Sequence, residues 1–123
     1  MSYLTTLLLF ITLCLASCKE TPILENFNSP AWKSDHLGCK GQRHKEMPSL
    51  TIQKEKLKRL GQNQIMALLG RPDLQELAPR NQRTYVYYYK QGHQCEGGKI
   101  NIKQDVILRI RFDALDRVNE ITL

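Results

Sequence analysis

The chain is poor in the residues that most often carry chemistry. It has one tryptophan, three histidines and four cysteines in 123 residues, and these few do not stand in the patterns that catalysis needs. No Ser, His and Asp set occurs at a recognisable spacing, no glycine-rich loop is placed to cradle a phosphate, and no two carboxylates share one face of a helix. The sequence therefore reads as a non-enzyme with no cofactor. Acidic residues are also in deficit, 12 against 18 Lys and Arg, for a formal charge of +6. Such a surplus favours an anionic neighbour, either a phospholipid surface or an acidic protein face. It does not point to nucleic acid, because the basic residues are spread out and the segment from Gln62 to Leu69 has none. The densest run, Lys54-Glu55-Lys56-Leu57-Lys58-Arg59, reads as a solvated helix face. Arg43 and Arg71 read as surface or structural arginines in preference to anion ligands, and Glu55, Glu76 and Glu120 as solvated charges.

Charge is missing altogether before Lys19. The apolar run from Tyr3 to Ala16 is interrupted by Thr5, Thr6 and Thr12, and it falls short of the roughly 20 residues of a spanning helix. It ends in Leu15-Ala16-Ser17-Cys18, which resembles the lipobox of bacterial lipoproteins, although the usual positive n-region is represented only by the terminal amine. That resemblance implies a signal peptide over residues 1–17 and acylation of Cys18, with palmitate among the chains, as the first mature residue. Lys19 stands where lipoproteins retained at the inner membrane often have Asp. The implied location is thus the outer membrane, lipid-anchored and facing the periplasm. Removing the signal leaves about 106 residues, enough for one small domain.

Residues 18–49 read as a lipid-anchored tether and an irregular arm. Pro22, Pro30 and Pro48 interrupt it, Asn26, Asn28 and Ser29 cluster in it, and no helical or strand period survives. Phe27 and Trp32 read as aromatic anchors that pin the arm to the domain, with ligand binding by Trp32 as the rival reading.

Residues 50–123 read as the folded unit, of class α+β: two short helices followed by a three-stranded antiparallel sheet. Leu50, Leu57 and Leu60 share one side of a helical wheel ended by Gly61. Ile65, Leu68 and Leu69 repeat the pattern in a second helix, with Gly70 as a left-handed cap and Pro72 as a stop. Beyond them the period becomes two. Tyr85, Tyr87 and Tyr89 alternate with Val86 and Tyr88; Ile100, Ile102, Val106, Leu108, Ile110 and Phe112 share one parity; and Gly97-Gly98 supplies a hairpin turn. This register sets Tyr85, Tyr87 and Tyr89 opposite Ile110, Leu108 and Val106. A last strand runs from about Arg117 to Leu123 after the turn Asp113-Ala114-Leu115-Asp116, and the differing parity of Val118 and Ile121 predicts a bulge or an irregular edge.

Leu68-Leu69-Gly70-Arg71-Pro72-Asp73, Tyr85-Val86-Tyr87-Tyr88-Tyr89 and Phe112-Asp113-Ala114-Leu115-Asp116-Arg117-Val118 together resemble the SmpA/OmlA (BamE-like) family of small outer-membrane lipoproteins over roughly residues 50–123. The resemblance implies a protein that acts by binding envelope partners, in outer-membrane protein assembly or envelope integrity, and not by catalysis.

With Cys14 in the signal and Cys18 lipidated, Cys39 and Cys95 remain, and an even pair in an exported protein reads as a disulfide. The rival reading is zinc held by His36, Cys39, His93 and Cys95, with His93 and Cys95 on one strand face. A metal-handling protein and an inhibitor of another envelope protein are the competing functional classes.

Overall fold

The computed structural model describes Tyr3, residues 20–97 and residues 107–123. Among the residues described from Glu20 onward, three α-helices, α1 (Ser29–Ser34), α2 (Gln42–Ile52) and α3 (Gln62–Leu69), precede an antiparallel sheet of four strands in the order β1 (Leu74–Ala78), β2 (Gln82–Tyr88), β3 (Ile107–Phe112), β4 (Val118–Thr122). The α+β class stands, with one strand more than the three expected. β1 escaped notice because Leu-Gln-Glu-Leu-Ala lacks the β-branched and aromatic residues that mark strands. It is an edge strand held by pairing with β2 from Leu74↔Val86 to Ala78↔Gln82, through a tight turn in which Arg80 and Asn81 both take positive φ.

The expected register of the next two strands is present: Tyr85 faces Ile110 and Tyr87 faces Leu108. Val106, Ile100, Ile102 and Gly98 lie outside the described residues, as does the hairpin turn assigned to them. The predicted bulge falls between Arg111 and Phe112, where the partner of β3 jumps from Glu120 to Val118. Asp113 closes the β3–β4 turn by accepting from the amides of Leu115 and Arg117 at 2.9 and 3.0 Å.

The helices cover one sheet face. Tyr85, Tyr87, Leu108, Ile110, Phe112 and Val118 pack there against Trp32, Leu50, Leu57, Ile65 and Leu69. On the opposite face Val86, Tyr88 and Ile107 form a smaller cluster with Leu37 and Leu74. The second expected helix appears as α3. At its start the Gln64 side chain reaches back to the Gly61 amide at 3.0 Å. Gly70 follows it with φ 72°, and a side chain there would press on Lys33. The first expected helix is different: Leu50 lies in the last turn of α2, Leu57 closes a 3-10 turn (Lys54–Leu57) and Leu60 leads into a bridge between Gly61 and Arg117. All three still reach the core. The wheel placed them on the correct side although the backbone between them is not one helix.

The larger departure is residues 20–49, which read as a tether and irregular arm but contain α1 and most of α2. Asn28 caps α1 by accepting from the Ala31 amide at 3.0 Å. α2 buries Arg43, Met47 and Leu50, an i, i+4, i+7 set, and runs through Pro48 at the loss of one backbone donor. Its N-terminus is capped from a distance by the fully buried Asp35, whose carboxylate accepts from the amides of Lys40 (2.7 Å) and Arg43 (3.0 Å). Trp32 is wholly buried, touching Phe27 and Tyr87 at ring separations of 5.8 and 6.3 Å. It is an anchor, as its size implies.

Arg43 ties this segment to the sheet. Its Nη1 donates to Asp73 Oδ2 at 2.6 Å and to the Tyr88 carbonyl at 2.9 Å, its Nε to the Trp32 carbonyl at 3.1 Å, and its guanidinium lies over the Trp32 and Tyr87 rings. Removing one partner of a buried ion pair costs about 3–5 kcal/mol, a large part of a small domain's roughly 5–15 kcal/mol. Asp73→Asn should therefore lower the urea midpoint by a corresponding amount. An unchanged midpoint would mean that the pair does not hold the two halves together.

Candidate functional site

Cys39 and Cys95 are joined in a disulfide, with S–S 2.00 Å and Cα–Cα 5.6 Å. The bond links the 3-10 turns His36–Gly38 and His93–Cys95 over the smaller apolar cluster. Gln94 reinforces the junction by donating to the Lys90 and Leu37 carbonyls at 2.6 and 3.1 Å, and Gln91 by donating to the Cys39 carbonyl at 2.8 Å. Gly38 approaches β2 so closely that a Cβ would stand 2.7 Å from the Tyr88 carbonyl oxygen.

The rival zinc set does not assemble in this oxidised form. Both sulfurs are committed to each other, and a thiolate is what zinc binds. His93 and Cys95 sit in a turn and not on a strand face as expected. His36 Nδ1 lies 3.1 Å from Asp73, and the exposed His93 is 4.0 Å from Glu96. Among the described residues no group of three or more His, Cys, Asp or Glu side chains is placed to hold a metal. Cys18, the expected lipidation site, lies outside the described residues. Of the arginines weighed from sequence, Arg43 is structural and Arg71 is exposed. Glu76 and Glu120 stand 3.9 and 3.4 Å from Arg109 and Arg111 on the open sheet face, whereas Glu55 is exposed.

Spacing along the chain gave no sign of a groove of about 510 Å³ at the other end of the sheet, lined by Arg59, Gln62, Arg83, Leu115, Asp116 and Arg117. Arg59 precedes α3, Arg83 is near the start of β2, and Leu115, Asp116 and Arg117 form the β3–β4 turn. Two-way backbone bonding joins these parts: the Arg59 amide donates to the Val118 carbonyl at 2.8 Å, and the Val118 amide to the Leu60 carbonyl at 2.9 Å. Arg59 and Asp116 both hold positive φ, 66° and 57°, a conformation that a non-glycine residue keeps only where surrounding structure imposes it.

The polar floor of the groove is internally satisfied. The Tyr85 hydroxyl donates to Gln62 Oε1 at 2.8 Å, and Gln62 Nε2 donates to Asp116 Oδ1 at 2.8 Å. Burial pushes the Tyr85 phenol above its ordinary range, with Arg83 opposing and Asp116 adding to the shift. Tyr85 is therefore a neutral donor, not a base. Among the described residues the side chains of Arg59, Arg83 and Arg117 make no hydrogen bond or ion pair, so the free chemistry of the groove is cationic.

A second groove is apolar, lined by Met47, Pro48, Ile52, Tyr89 and Leu123 together with His44. Among the described residues no helix is long and apolar enough to cross a membrane. Comparison with family models, curated proteins and solved structures found no match to the chain.

The disulfide yields a direct check on the metal reading. Non-reduced protein should resist alkylation at Cys39 and Cys95 and contain no zinc. Reduction should lower the melting temperature, since a loop closed across 56 residues is worth up to about 4 kcal/mol in the chain-entropy model. Two freely alkylated thiols, or zinc that shields them, would replace the disulfide with the metal site.

Proposed function

We propose that this protein is a lipid-anchored accessory of the bacterial outer membrane, facing the periplasm, which acts by binding and not by catalysis, in the manner of the small SmpA/OmlA-type lipoproteins it resembles. The observation that carries the binding reading is the groove, where three arginines that make no side-chain hydrogen bond or ion pair among the described residues stand beside the linked Tyr85, Gln62 and Asp116. A site of this kind can hold an anion. The neighbouring Tyr85 phenol is held in the neutral form by burial and donates to Gln62, which lines the groove.

Two further features support the compartment. The Cys39–Cys95 disulfide suits an oxidising envelope, and the Leu15-Ala16-Ser17-Cys18 ending suits acylation at Cys18. Involvement in outer-membrane protein assembly or envelope integrity follows from the family resemblance alone and belongs to this proposal.

The anchor is tested by Cys18→Ala. The variant should remain unprocessed or leave the membrane fraction, whereas the parent carries more than one acyl chain, since a single chain gives only marginal anchoring. Unchanged fractionation together with an unchanged mature mass would remove the lipoprotein reading.

A further inference from the structure

We propose that the Arg59, Arg83 and Arg117 groove is the membrane-facing surface of the protein and takes the phosphate of an anionic lipid headgroup in the leaflet that holds the anchor. The proposal rests on the lipoprotein reading of Cys18 for its geometry and on the groove for its chemistry.

The geometry begins at Glu20. Its carbonyl accepts from Gln64 Nε2 at 3.1 Å, and Gln64 lies in the first turn of α3 and lines the groove. The chain then stays on the domain: Leu24 is buried, and the Glu25 amide donates to Gln53 Oε1 at 2.7 Å. A fully extended chain covers at most about 3.6 Å per residue, so Cys18 can stand no farther than about 7 Å from Glu20. An acylated cysteine sits at headgroup depth. With Glu20 and Glu25 held on the domain, an acylated Cys18 would bring the groove edge within a short distance of the bilayer.

The chemistry fits that position. Arginine offers planar, bidentate donation that matches a phosphate, and three arginines against the single lining carboxylate, Asp116, leave the groove net positive. Asp116 is itself engaged by Gln62; the nearby Glu20 side chain is a second, exposed acid. Leu115 projects from the same β3–β4 turn at 70% exposure, an apolar residue beside basic ones, as in surfaces that seat in the headgroup layer. The bridge between Gly61 and Arg117 and the paired amides of Arg59 and Val118 fix the backbone beneath two of the arginines. The site is thus held in place before any ligand arrives.

The test measures co-sedimentation with phosphatidylcholine vesicles, with and without phosphatidylglycerol, using the chain from residue 18 with Cys18→Ser. This keeps all of residues 20–123 and reads the groove without the anchor. Each surface arginine is worth roughly fivefold in binding to an anionic surface, so Arg83→Gln/Arg117→Gln should weaken binding to the anionic vesicles by roughly 25-fold. Lys40→Gln/Arg71→Gln removes the same charge from exposed positions outside the groove and should cost much less. Equal losses in the two pairs would reduce the effect to net charge and overturn the proposal. So would binding of inorganic phosphate with no preference for anionic vesicles, which would assign the groove to a free anion. In protein isolated from membranes, a Leu115→Trp indole should be quenched by brominated lipid in anionic vesicles, and the groove pair should abolish the quenching. The mass of that preparation separates the two readings: an acylated Cys18 without arginine-dependent binding overturns the groove alone, whereas an unacylated Cys18 overturns the anchor on which its orientation rests.

Discussion

A buried guanidinium organises this fold. Arg43 is removed from water between the two halves of the chain, and its charge is tolerable there because Asp73, the Trp32 and Tyr88 carbonyls and two aromatic faces surround it. Asp73 is equally committed. One of its oxygens also accepts from the Tyr88 amide at 2.8 Å, and the other accepts from the Leu37 amide at 3.1 Å and meets His36. A second buried carboxylate, Asp35, holds the start of the helix that carries Arg43. Breaking any one of these contacts would leave a desolvated charge behind, so α1, α2, the disulfide-linked turns and the end of β2 are coupled through a few atoms.

The readability of the sequence follows from the same chemistry. Period-two burial reached the text directly: the tyrosines of β2 and the aliphatic residues of β3 alternate as a half-buried sheet must, and their register and the bulge beside Phe112 were legible. α2 was hidden because the first member of its buried stripe is an arginine, and a charged residue followed later by Pro48 reads as solvated and broken. Nothing local reveals that Asp35 and Asp73, 38 positions apart in the chain, will neutralise and cap it. β1 was hidden for the complementary reason, since pairing with β2 and not propensity makes it a strand.

The candidate groove was illegible for a third reason. Arg59, Arg83 and Arg117 are unremarkable as single residues, and only the folding of three separate segments onto one end of the sheet brings them together. The cysteines were legible because reading residues 1–17 as a signal and Cys18 as lipidated leaves one pair, and the disulfide is the outcome. The arm that looked like a flexible spacer lies on the domain from Glu20 onward.

Through Arg43, Asp35 and Asp73, residues 20–52 belong to the same cooperative unit as the sheet. Native-state hydrogen exchange measures this directly, because the amides of Lys40 and Arg43 are bonded to Asp35 and that of Tyr88 to Asp73. These amides should exchange only through global unfolding, with the same denaturant dependence as Leu108 and Ile110 in the central β3 strand. Exchange of Lys40 and Arg43 through a local opening, at a free energy several kcal/mol below that of the sheet, would show that the segment is an appended arm after all.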